Sequence, residues 1–89
     1  PALDIIHLLG KLGAKVGYSD PFVAHLRADG GVPAMDSVDA EKAAAEADCV
    51  VIVTDHKAFD YSKIVASAKL IVDTRNALKG RVSDKIVRL

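Results

Sequence analysis

Cys49-Val50-Val51-Ile52-Val53 runs into Thr54-Asp55-His56, and Leu70-Ile71-Val72 runs into Asp73-Thr74-Arg75-Asn76. Both are unbroken apolar runs, mostly β-branched, that stop abruptly in polar residues. A half-exposed strand alternates apolar and polar side chains. An unbroken run therefore predicts a strand covered on both faces, as in a parallel sheet. In open sheets of that kind, ligands bind beyond the carboxyl ends of the strands. Thr54, Asp55, His56, Thr74, Arg75 and Asn76 fall where binding chemistry is expected.

Outward from these runs the chain reads as alternating elements. Residues 2–12 predict a helix, with Pro1 at its first turn and Gly13 as its C-terminal cap. Ala2, Ile5, Ile6, Leu9 and Leu12 form one apolar face, and Leu3 and Leu8 make a second surface apolar as well. Lys15 to Ser19 predicts a short strand that Asp20-Pro21 turns away. Phe22 to Leu26 predicts a helical turn, Gly30-Gly31 a flexible loop, and Val32 to Met35 a brief strand. Asp36 or Ser37 is the expected cap of a helix over Asp39–Ala47, where Ala and Glu are good helix formers. Asp60 is the expected N-cap of a helix through about Ser67. Asn76 to Gly80 predicts a turn, and Lys85 to Leu89 a last edge strand guarded by Lys and Arg.

Composition narrows the function classes. The 89 residues suffice for one small domain, with 51% hydrophobic residues and few aromatics. Lys plus Arg and Asp plus Glu balance at 12 each. Such a balance gives no electrostatic footprint for nucleic acid or a membrane surface. No apolar run approaches the length of a membrane span, and no signal-peptide pattern opens the chain. A single Cys excludes an internal disulfide and a Cys-rich metal site, so no metal and a reducing cytoplasm are expected.

The ordered set Tyr18-Ser19-Asp20-Pro21, Ala47 to Phe59 and Val72-Asp73-Thr74-Arg75-Asn76 resembles the carboxy-terminal domain of UDP-glucose/GDP-mannose dehydrogenases. The resemblance covers almost the whole chain, through about Gly80. Thr54-Asp55-His56, Phe59-Asp60-Tyr61 and Asp73-Thr74-Arg75-Asn76 are most similar to the UDP-N-acetylglucosamine 6-dehydrogenase branch. The resemblance implies a parent enzyme of three parts. An amino-terminal Rossmann domain binds NAD, a central helical domain carries the catalytic Cys and supports dimerisation, and the last domain binds the UDP of a UDP-sugar. Such enzymes oxidise the sugar C6 hydroxyl to a carboxylate in two hydride transfers through a thioester, as a step toward polysaccharide precursors. The family's opening strand, and the Lys and Arg loop after it, would precede Pro1. The expected architecture is thus α/β: a three-layer, Rossmann-like parallel sheet with helices on both faces, lacking the usual first strand. Residues 1–89 are expected to be one partial domain, inactive alone, whose partners are the UDP-sugar and the remaining domains or a second subunit.

Each candidate residue has a plainer reading beside its functional one. A guanidinium just past a strand end grips a pyrophosphate bidentately, and the resemblance implies that Arg75 contacts the UDP-sugar. The plainer reading pairs it with Asp73 or Asp55. Asp73 and Thr74 belong to the same substrate-binding motif, and Asp73 is expected to hold Arg75 or a backbone turn rather than meet an anionic ligand. Asn76 suits a cap. Thr54, Asp55 and His56 form the crevice edge. Cys49 heads an apolar strand and is expected to be core packing rather than a nucleophile. Asp20-Pro21 reads as a turn, His7 and His25 as isolated, and Glu41 and Glu46 as solvated helix positions. Gly10, Gly13 and Gly17 lack the dinucleotide spacing, so no NAD site is expected in this chain. No nucleophile elbow supports a Ser-His-Asp set, and no catalytic residue is expected.

Two other functions fit the fold class. A freestanding flavodoxin-like regulatory module, such as a receiver domain, needs an acidic cluster after its first strand. No first strand is present to carry one. A subunit-docking role without catalysis suits the two-sided apolarity of the first helix.

Overall fold

The structure, a computed structural model, describes residues 2–89. Pro1, expected at the first helical turn, lies outside the described residues. The chain packs as two compact units, one ending at Val38 and the other spanning Asp39–Leu89.

The first unit opens with α1, Ala2–Lys11. Ile5, Ile6 and Leu9 of the expected apolar face are half-buried, while Ala2 and Leu12 are exposed. Gly13 closes the helix at φ +92°. Its N–H donates to the Gly10 carbonyl at 3.0 Å, and the Ala14 N–H reaches back to Leu9 at 3.0 Å. This double closure satisfies the last carbonyls of the helix and needs a left-handed residue, which glycine supplies. Beyond α1 the expectations change. Lys15 to Ser19 forms no strand, because no neighbour offers a ladder; the Tyr18 carbonyl takes a single bond from the Val38 N–H at 3.0 Å.

Phe22 to Leu26 is likewise not a helical turn. The Asp20 carboxylate accepts from the Phe22 and Val23 N–H groups at 2.8 and 3.2 Å, turning the chain. His25–Leu26 then forms β1, which pairs antiparallel with β2, Met35–Asp36. Gly30 and Gly31 make the hairpin tip, with φ of +51° and +89°. Positive φ at both central residues defines the tight turn whose twist suits a hairpin. Asp29 and Val32 exchange both backbone bonds across it, at 2.7 and 2.9 Å.

The second unit contains the parallel sheet. It starts with α2, Ala40–Glu46, capped by Asp39, whose side chain accepts from the Lys42 N–H at 2.9 Å. The expected caps are displaced: Asp36 lies in β2, and the Ser37 hydroxyl is tied to the Asp20 backbone. Strands β3 (Val50–Ile52), β4 (Ile71–Asp73) and β5 (Ile86–Arg88) pair parallel in that order. Val50, Ile71 and Ile86 align, as do Ile52, Asp73 and Arg88. Between β3 and β4 runs α3, Tyr61–Ser67, with Asp60 as its N-cap, as expected.

The core of this unit joins Ala44, Ile52, Ile64, Ala68, Ile71, Leu78 and Ile86. Its strand members share one sheet face, because side chains two apart point the same way. Both helices contribute to that core. The opposite face presents Val51, Val72 and Val87, with Val51 36% and Val87 43% exposed. The α/β class and the parallel pairing are as expected, but within this unit β3 is not dry on both sides. Cys49 is also exposed, contrary to its expected place in the core. It precedes the first paired residue and alternates onto the Val51 side.

Candidate functional site

Two parallel strands, β3 and β4, end side by side, and their trailing residues are stitched together. The Thr74 N–H and hydroxyl both donate to the Ile52 carbonyl, at 3.1 and 2.6 Å. One residue further, the Arg75 Nε–H donates to the Val53 carbonyl at 3.0 Å. That bond tethers an exposed guanidinium to the carboxyl edge of the sheet, and its terminal N–H groups bind no acceptor among the described residues. The plainer reading of Arg75 does not hold. Among the described residues it makes no ion pair; the pair found there is His25 with Asp36, at 2.9 Å on the surface.

Asp73 explains why the chain turns so sharply after β4. It is fully buried, at 0% exposure. One carboxylate oxygen accepts from the Arg75 and Ala77 N–H groups, each at 3.1 Å, and the other from Leu78 at 2.9 Å. Burial by itself acts to raise the pKa of this carboxyl. Hydrogen bonds from Leu78, Arg75 and Ala77, with the nearby charge of Arg88, outweigh that and hold it below its ordinary value. Asp73 thus organises the loop that presents Arg75. Asn76 sits in that loop at φ +56° and its carbonyl accepts from Lys79.

Three other basic groups of this unit are held by local acceptors. Lys85 Nζ caps α3 through the Ala68 carbonyl at 2.8 Å, where a helix end favours a cation. Arg88 binds the Leu78 and Arg81 carbonyls, and Arg81 reaches the Ser62 hydroxyl. Of these, Arg75 alone is held at the end of β3, by one tether and with no carboxylate among the described residues.

Beyond β3, Thr54 and Asp55 are exposed and His56 is half-buried. Tyr61, which sequence reasoning did not single out as a site residue, ties them together. The His56 N–H donates to the Tyr61 hydroxyl at 2.9 Å, and that hydroxyl donates to Asp55 Oδ1 at 2.9 Å. Phe59 stacks edge-on against both rings. Burial raises the pKa of the Tyr61 phenol; the His56 N–H opposes this, and the Asp55 carboxylate adds to it. A signal existed: the Asp60 cap puts Tyr61 at the first helical position, beside the loop it fastens.

Within the first unit, His25 pairs with Asp36, and His7 packs against Gly31. Among the described residues no three His, Cys, Asp or Glu side chains are grouped to hold a metal ion. No helix there is long and apolar enough to cross a membrane.

The arrangement offers an anion one tethered guanidinium, a threonine and a polar loop at the carboxyl edge of a parallel sheet. No curated protein sequence and no solved structure matches the chain. The model of the UDP-glucose/GDP-mannose dehydrogenase family, UDP binding domain, matches residues 1–80. The chain therefore belongs to the UDP-glucose/GDP-mannose dehydrogenase family, as its UDP-binding domain.

Proposed function

We propose that the edge formed by β3 and β4 receives the UDP of a UDP-sugar, with Arg75 as its principal phosphate contact. The observation that carries this is the Arg75 guanidinium, tethered to the Val53 carbonyl and free of any carboxylate among the described residues. Preplacing the fork lowers the ordering cost of gripping a pyrophosphate. Thr74 shares the strand end, and Thr54, Asp55 and His56 line the neighbouring loop. Asp73 acts one step back, holding the backbone that carries Arg75.

The parent protein would be an oxidoreductase that converts the sugar C6 hydroxyl to a carboxylate, and the chain itself no catalyst. The Thr54-Asp55-His56, Phe59-Asp60-Tyr61 and Asp73-Thr74-Arg75-Asn76 segments favour the UDP-N-acetylglucosamine 6-dehydrogenase branch. NAD, which the family implies, finds no fit here. The β3–α3 turn, Val53 to Asp60, has no glycine to let a pyrophosphate approach the backbone. We assign that cofactor to another part of the parent.

The test is a UDP titration by calorimetry or NMR. Wild-type chain should bind weakly, and Arg75→Ala should weaken binding about tenfold or more, the scale of a charged hydrogen-bonded contact. Equal affinity in the two proteins removes Arg75 from the pocket.

A further inference from the structure

We propose that Tyr61 is a positioning residue: its hydroxyl restrains the Asp55 carboxylate, which would otherwise neutralise Arg75. The inference rests on the UDP reading above and adds how that site keeps its charge available. Asp55 and Arg75 are opposite charges carried by the adjoining ends of β3 and β4. Arg75 Nε is bonded to Val53, only two residues before Asp55 in the chain. Both side chains are exposed. Yet no ion pair forms between them. What Asp55 does bind is the Tyr61 hydroxyl, at 2.9 Å. That hydroxyl is itself oriented, because it accepts the His56 N–H and therefore turns its proton toward Asp55. Half-buried and flanked by Phe59, the ring of Tyr61 has little freedom to swing away.

Removing the hydroxyl frees the carboxylate to pair with Arg75. A diphosphate would then compete with Asp55 for the same guanidinium. An exposed ion pair is weak, so the expected penalty is small and defined, about two- to fivefold in affinity.

The test uses the chain as wild type, Tyr61→Phe, Asp55→Asn and the double variant, with UDP as the probe. In Tyr61→Phe, UDP affinity should fall by about two- to fivefold, and the NMR resonance of the Arg75 Nε–H should move in the absence of ligand. In the double variant both should return to the Asp55→Asn values. A merely structural role for Tyr61 is not relieved by Asp55→Asn, since the His56 N–H would still lack its acceptor. An unmoved Nε–H resonance in Tyr61→Phe, or a loss of affinity that persists in the double variant, overturns the proposal. If Arg75→Ala binds UDP as wild type does, the UDP reading fails instead. The ligand-free resonance then still decides whether Tyr61 controls the partner of Arg75.

Discussion

Asp73 concentrates more backbone organisation than any other side chain of the sheet unit. Its carboxylate satisfies three N–H groups while wholly buried. Asp73→Ala orphans those donors and should cost about 3 kcal/mol in urea denaturation, with loss of UDP binding following from a loosened loop. The pH dependence has a definite sign. The folded carboxyl has a lowered pKa, so its contribution is complete above the ordinary value of 3.8 and disappears as pH falls through the folded value. The urea midpoint of wild type should therefore drop in acid, and Asp73→Asn should lack that part of the drop. Cys49 makes a separate prediction. Because it is exposed, a thiol reagent should modify it in the native protein without first unfolding the chain, while denaturation profiles stay nearly unchanged.

The elements are held by caps and turns more than by length. Helices α2 and α3 are short, and each relies on an Asp that accepts an N–H from its first turn. Asp39→Ala and Asp60→Ala should each lower stability by about 1 kcal/mol. The Asp60 variant should also disturb Tyr61 and the loop after β3. In the hairpin, Gly31 combines φ +89° with a close approach: an added Cβ would lie 2.5 Å from His7 Cε1. Gly31→Ala should therefore cost more than about 1 kcal/mol and displace the His7 ring, which one-dimensional NMR would detect. In the parallel sheet the two faces differ. Ile71→Ala, at 0% exposure, should cost about 2–5 kcal/mol, whereas Val87→Ala on the open side should cost far less.

At the scale of the molecule, apolar burial is uneven. The sheet unit contains every residue of the main core, while α1 has no fully buried residue and the hairpin contributes Val32 alone. Hydrogen exchange should accordingly be slowest at the amides of β3 and β4. It should be fastest in the unit ending at Val38, because opening there exposes little apolar surface. Uniform protection across both units would contradict this picture.

The local rules of chain chemistry were readable in advance. The apolar runs around Val51 and Ile71 specified parallel strands, Asp60 announced a helix start, Gly13 a helix end, and Asp20-Pro21 a turn. Arg75 and Thr74 could be placed at a strand end for the same reason: side-chain periodicity and capping depend on neighbours a few residues away. Features that depend on distant partners were not readable. Lys15 to Ser19 has strand-like residues but no ladder to join, and His25–Leu26 became a strand because Met35–Asp36 came alongside. Cys49 and Val51 looked like core, yet α2 and α3 both pack against the other face. Packing also chose the partners of the charged groups: it buried Asp73 against three amides, gave Asp55 to Tyr61, and left Arg75 with one carbonyl tether. Those choices are made by atoms brought together from residues 52–61 and 73–78, and no spacing along the chain encodes which of several acceptors a guanidinium or a carboxylate will meet.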